Sequence, residues 1–218
     1  MNPRLFTAGA PLQRAKAAVL LLHGRGASAE SMLVLANSLT VADVAYFAPQ
    51  APGSSWYPYS FLAPLQQNEP SLSNALATVT NSVAHASAHG MNPESIVILG
   101  FSQGGCLALE YAARHPRRLG GVVGLSAGLI GPVAASRHDV GSLSGTPIFI
   151  GCSDEDAHIP LSRVHESTAI LTDLGGAVTE RIYPGLGHTI NADELLHVER
   201  MLDGLVRGRT GQREGADQ

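Results

Sequence analysis

Two cysteines, Cys106 and Cys152, are all the thiols in this 218-residue chain. One crosslink at most cannot staple a domain of this size, so the fold must rest on an apolar core. Neither cysteine sits in a metal-ligand spacing, and both fit small buried hydrophobes in a reducing compartment. A basic surplus is also missing: 14 Lys and Arg stand against 18 Asp and Glu, for a net charge of −4, and the longest basic run is Arg117-Arg118. This excludes the electrostatic footprint of a nucleic-acid binder. No apolar run approaches the roughly 20 residues a bilayer-spanning helix needs, and residues 1–10 hold one Arg and no leader core. A cytoplasmic protein with no integral membrane segment is the expectation. Aromatic residues make up only 5% of the chain, yet Trp56, Tyr57, Tyr59 and Phe61 crowd into one short stretch. After the Pro/Gly/Ser-rich run 49–55, that stretch reads as a loop, either covering a core edge or, with Trp56 in contact with substrate, walling an apolar pocket.

What the chain does have is 44% apolar residues, enough for one substantial core. A single domain over 1–207 is expected, followed by a polar, disordered tail at 208–218. Continuous apolar runs predict strands over 17–22, 44–48, 96–99, 120–126, 147–151 and 178–183. Between them, 3.6-residue periodicity predicts helices from an N-cap at Ser28 through Leu39, over 72–89, from Gln103 to about His115, over 164–174 and over 192–206. Strands without polar alternation are those buried on both faces, so this order defines an α/β fold with a mostly parallel central sheet and helices on both sides. The connection 127–145 is long enough for a short cap over a site and too short for a large lid domain. His85 and His89 lie one turn apart near a helix C-terminus, where they suit the dipole as surface residues.

The chemistry gathers where strands end. Gly100-Phe101-Ser102-Gln103-Gly104 fits the Gly-x-Ser-x-Gly elbow, in which glycines let strand and helix close around a strained serine. The helix that follows aims its N-terminal N–H groups at Ser102, where an oxyanion would develop. A second Gly-rich turn, His23-Gly24-Arg25-Gly26, follows the early strand and offers the backbone N–H of Arg25 as a partner for that of Gln103; His23 braces the turn. Asp154 or Asp156, and then His188, follow later strands. Serine, acid, histidine is the chain order of α/β-hydrolase triads. Asp154, Glu155, Asp156 and His158 also invite a cation reading, but the glycine and terminal Glu of a calcium loop do not follow.

The segments Leu-Leu-His-Gly-Arg-Gly-Ala (21–27), Pro-Gln-Ala-Pro-Gly-Ser-Ser-Trp-Tyr (49–57), Gly-Phe-Ser-Gln-Gly-Gly (100–105), Asp-Ala-His-Ile-Pro (156–160) and Gly-Leu-Gly-His (185–188) resemble the phospholipase/carboxylesterase family, to which acyl-protein thioesterases belong. The resemblance implies a minimal, cofactor-free and metal-free hydrolase of small acyl esters, with Ser102 as nucleophile and His188 as base. The family's acid motif resembles Gly-x-x-Asp-Pro-x-Val-Pro. Here Asp154 keeps the spacing from Gly151 and Asp156 the spacing to Pro160, with Ala157 in place of the usual Pro. The second spacing favours Asp156 as the acid and leaves Asp154 as the alternative. Thioesters and lysophospholipids suit the same site. A non-catalytic ligand-binding protein would have no chemical need for the full set, and dienelactone hydrolases, of related fold, carry Cys in the elbow where this chain has Ser102. An exposed apolar helix face would allow a homodimer.

Overall fold

The computed structural model describes residues 4–134, 137 and 139–214, with 209–214 described by backbone alone. Seven strands form one sheet: β1 (Leu5–Gly9), β2 (Ala17–Leu22), β3 (Val44–Pro49), β4 (Ile96–Phe101), β5 (Gly121–Leu125), β6 (Pro147–Ser153) and β7 (Ala177–Tyr183), in the order β1-β3-β2-β4-β5-β6-β7. All neighbouring pairs are parallel except β1 and β3, which run antiparallel from Leu5 opposite Pro49 to Gly9 opposite Ala45. The α/β-hydrolase architecture expected from the sequence is therefore present, and among the described residues no separate lid domain interrupts it. β1 was not expected. It is a half-buried edge strand that mixes Thr7 and Gly9 with apolar residues, too short for periodicity to reveal.

The uniform apolarity of the inner strands has a direct cause. Ala18, Leu20 and Leu22 of β2 enter one core cluster, while Ala17, Val19 and Leu21 enter the other. Each face needs its own apolar set, so alternation between polar and apolar disappears. Helices α2 (Ser71–Ala88) and α3 (Gln103–Arg114) supply Leu72, Val79, Leu107 and Tyr111 to the first cluster. Helices α1 (Ala29–Ala36) and α5 (Ala192–Glu214) supply Met32, Ala36, Val198 and Leu202 to the second. Helix α4 (Leu161–Asp173) closes the first face with Val164 and Leu171.

Helix ends follow local chemistry. At α1, Ser28 Oγ accepts the Ser31 N–H at 3.3 Å and Ser31 Oγ accepts that of Ser28 at 3.4 Å, a reciprocal capping box. The helix stops at Ala36, short of the expected Leu39. α5 continues beyond the expected Val206 to Glu214. Arg and Gln are good helix formers, and a helix seated at Leu202 can propagate past its last core contact. Residues 215–218 lie outside the described residues. His89 Nδ1 lies 2.8 Å from the His85 carbonyl at the exposed C-terminus of α2, one ring against the other.

None of the described residues of the 127–145 connection lines the cleft beside Ser102. The connection is pinned to the body instead. The buried carboxylate of Glu110 accepts the Ile130 N–H at 3.0 Å and pairs with Arg114 and Arg137. Arg163 Nε donates to the Leu129 carbonyl at 2.9 Å. Burial of that carboxylate makes these partners obligatory.

Candidate active site

Between β4 and α3 the chain turns through Ser102 at φ 53° and ψ −119°, a strained conformation for a residue with a side chain. Its neighbours make the turn possible. A Cβ on Gly100 would lie 2.2 Å from the Gly104 carbonyl carbon, and one on Gly104 would lie 2.1 Å from the Leu22 oxygen. Only glycine permits strand β4, helix α3 and strand β2 to approach this closely.

Ser102 Oγ lies 2.9 Å from His188 Nε2. His188 Nδ1 lies 2.7 Å from Oδ2 and 3.0 Å from Oδ1 of Asp156. The carboxylate is acceptor-only, so Nδ1 carries the proton and Nε2 is left to accept from the serine hydroxyl. Asp156 is buried beneath the imidazole. Burial alone would raise its pKa. The hydrogen bonds from His188 and from the N–H groups of His158 (2.8 Å) and Ile159 (3.1 Å) outweigh that and hold it below the usual carboxylate value. Cys152 adds an S–H donor 3.8 Å from Oδ2; burial pushes its pKa up to about 12, so the thiol keeps its proton.

Of the two candidate acids, the structure brings Asp156 to His188. Asp154 Oδ1 instead accepts the Gly185 N–H at 2.8 Å, while Ser153 Oγ accepts that of Gly187 at 3.0 Å. Both contacts hold the turn that carries His188. Of the carboxylates that invited a cation reading, those of Asp154 and Asp156 are committed to these partners, and among the described residues no cluster of three potential metal ligands occurs.

Arg25 and Gln103 both line the cleft with Ser102. Gln103 opens α3, and the first N–H groups of a helix have no intrahelical acceptors. The Arg25 turn is fixed from behind by His23, which is fully buried. The Ala51 N–H donates to His23 Nε2 at 3.1 Å, so the Nδ1 proton donates to the Gly24 carbonyl at 2.8 Å. Burial lowers the pKa of His23 and keeps it neutral, which suits a brace.

Trp56, expected at the pocket wall, is not among the residues that line the cleft. It is 4% exposed, and its indole N–H donates to the His23 carbonyl at 2.8 Å. A buried indole must satisfy its donor, and the only tryptophan does so by locking the Arg25 turn. Its neighbours Tyr57 and Phe61 line the cleft instead, together with Phe101, Ile159 and Cys106. The cleft encloses about 410 Å³. A hollow of about 600 Å³ elsewhere, beside Thr80 and Arg114, contains none of these groups.

Two roles were not legible in the sequence. The Gln103 side chain is buried, accepts the Trp56 N–H at 2.9 Å through Oε1 and donates to the Tyr57 carbonyl at 2.8 Å through Nε2. The Arg25 guanidinium donates to Ser55 Oγ at 3.0 Å and to the carbonyls of Pro58 (2.8 Å) and Tyr59 (2.7 Å). Both residues thus fasten the aromatic loop to the turns that present their own N–H groups.

A mostly parallel sheet with a serine on a strained elbow, hydrogen-bonded to a histidine after the last strand, is the arrangement of the α/β-hydrolase class. Within that class the chain belongs to the phospholipase/carboxylesterase family, whose model matches residues 6–205. It is 30% identical over 209 residues to acyl-protein thioesterase 1 of Saccharomyces cerevisiae, covering 85% of this chain and 91% of the relative. It is 26% identical over 213 residues to carboxylesterase SOBER1 of Arabidopsis thaliana, covering 89% and 92%. The crystal structure of a phospholipase/carboxylesterase from Dyadobacter fermentans superimposes with a TM-score of 0.87 at 46% identity, covering 92% of this chain and 96% of that one.

Proposed function

We propose that the protein is a serine carboxylesterase that hydrolyses short- to medium-chain carboxylic esters through an acyl-enzyme on Ser102, with Asp156 and His188 completing the triad. The observation that supports this most is the unbroken line from Ser102 Oγ to His188 (2.9 Å) to Asp156 (2.7 Å) at the floor of an open cleft. Ser102 Oγ attacks the acyl carbonyl while His188 Nε2 takes its proton, and Asp156 stabilises the imidazolium and holds the tautomer. The oxyanion is received by the backbone N–H groups of Gln103 and Arg25, each worth ~10²–10³ in rate. His188 returns the proton to the departing alcohol, and water then releases the acid by the same steps in reverse order.

The test is turnover of p-nitrophenyl esters from acetate to decanoate by the wild type and by Ser102→Ala, with and without chelator. The reading expects turnover that Ser102→Ala abolishes and chelator leaves alone. Folded wild-type protein inert on every ester would overturn it. An acyl thioesterase using the same triad is the second reading, favoured by the name of the yeast relative; faster turnover of acyl thioesters than of matched esters would select it.

A further inference from the structure

Arg25 offers the cleft more than its backbone. Nη1 spends both hydrogens on Ser55 and Pro58, and Nη2 spends one on Tyr59. A guanidinium has five N–H donors. The Nε–H and one Nη2–H are therefore left without an acceptor among the described residues. Every acceptor the group does have is neutral, and among the described residues no carboxylate forms an ion pair with it. The result is a solvent-exposed cation held by three hydrogen bonds, with Cζ 5.8 Å from the centroid of the Tyr57 ring that lines the cleft beside Ser102.

The rest of the lining reinforces this. It includes no Asp or Glu. Asp156 lies out of reach beneath His188, with its side chain fully buried. Arg25 is thus the one residue of the lining whose side chain is permanently charged. Two free guanidinium N–H donors suit the oxygens of a carboxylate, and one unpaired cation balances one negative charge.

We infer that Arg25 selects esters whose non-reacting end carries a carboxylate. This rests on the ester-hydrolase reading and narrows its substrate class. The guanidinium is at once the clamp on the aromatic loop and the recognition group, so substrate charge is read by the residue whose backbone N–H faces the oxyanion.

The experiment uses two pairs of substrates matched in shape and differing in charge. 4-Acetoxybenzoate against 4-acetoxybenzamide places the charge on the leaving group, and p-nitrophenyl hemiadipate against p-nitrophenyl adipamate places it on the acyl group. In at least one pair at low ionic strength, wild-type kcat/KM should favour the anion by about tenfold, the scale of a hydrogen-bonded charge. Added salt should erode the preference, because the site is open to solvent. Arg25→Gln should bring the ratio to about one whatever it does to absolute rates, and Arg25→Lys should keep part of it. A ratio near one in both pairs for the wild type, or a preference that survives Arg25→Gln, would overturn the inference. In either case, continued turnover of the neutral members that Ser102→Ala abolishes would leave the ester-hydrolase reading standing. Titration calorimetry with 4-hydroxybenzoate and 4-hydroxybenzamide reads the same preference without turnover, so an inert enzyme would count against the reaction and not against the charge selection.

Discussion

His188 Nδ1 sits 2.7 Å from Oδ2 of Asp156, and the turn that carries His188 is tied at Gly185 to the other aspartate of the loop, Asp154. The two carboxylates therefore divide the work. One orients the imidazole and the other holds the backbone on which the imidazole rides. Asp156→Asn should lower kcat by about 10³- to 10⁴-fold, because the amide no longer fixes the tautomer or stabilises the imidazolium. Asp154→Asn keeps an acceptor for the Gly185 N–H and should cost less than about tenfold. Steady-state rates of the two variants check this, and the opposite ranking would transfer the role to Asp154.

The Gln103 side chain gives a separable prediction. Gln103→Ala leaves its backbone N–H in place but strips the buried Trp56 N–H of its acceptor. The loss should be about 1–3 kcal/mol of stability, with KM rising more than kcat falls as the wall carrying Tyr57 loosens. Urea denaturation with steady-state kinetics tests it. A fall in kcat at unchanged stability and KM would mean that the side chain acts on the chemistry itself.

Backbone proximity at the elbow predicts a sharp contrast between two glycines. Gly104→Ala drives a Cβ against the Leu22 carbonyl, whereas a Cβ at Gly204, an exposed position of α5, meets nothing within 4 Å. Gly104→Ala should cost more than about 3 kcal/mol and abolish activity. Gly204→Ala should stabilise by about 0.5–1 kcal/mol. Comparable thermal shifts in the two variants would contradict the packing described at Ser102.

Glu194 makes stability depend on pH. Its carboxyl is fully buried, Oε2 accepts the Asn191 N–H at 2.8 Å, and Oε1 has no hydrogen-bond partner among the described residues. Burial, together with the charge of Asp193 and against the Asn191 hydrogen bond, raises its pKa from 4.5 to about 7. Between those values the folded protein holds a proton that the unfolded chain has released, so stability falls as pH rises through that window and the penalty is complete above about 7. Relative to Glu194→Gln, the wild type should lose up to about 3 kcal/mol between roughly pH 4.5 and 7. Urea denaturation of both proteins across that range is the check, and parallel curves would refute it.

Most of this site could be read before the fold was seen, because its chemistry is local in sequence. The elbow glycines, Ser102 and the Gly-rich turn at Arg25 each announce themselves within a few residues, and the uniform apolarity of β2 and β4 follows from burial on both faces. What escaped was non-local. Trp56 looked like a pocket wall because aromatic content cannot say which way a ring points; the fold turns it inward to satisfy its N–H on His23, 33 residues away. Between Asp154 and Asp156 the spacing to Pro160 favoured Asp156 but left Asp154 open, because the choice turns on which carboxylate meets His188, 32 residues from Asp156 along the chain. β1 escaped for another reason, since a half-buried edge strand of five residues has too little pattern to register.

The central claim is that the reaction passes through an ester on Ser102, and rapid-quench mass spectrometry of the enzyme mixed with p-nitrophenyl acetate tests it most directly. The account predicts a burst of nitrophenolate close to the enzyme concentration, an acetyl group on the peptide containing Ser102, and neither in Ser102→Ala. An acetyl group on another residue, or undiminished turnover by Ser102→Ala, would contradict it.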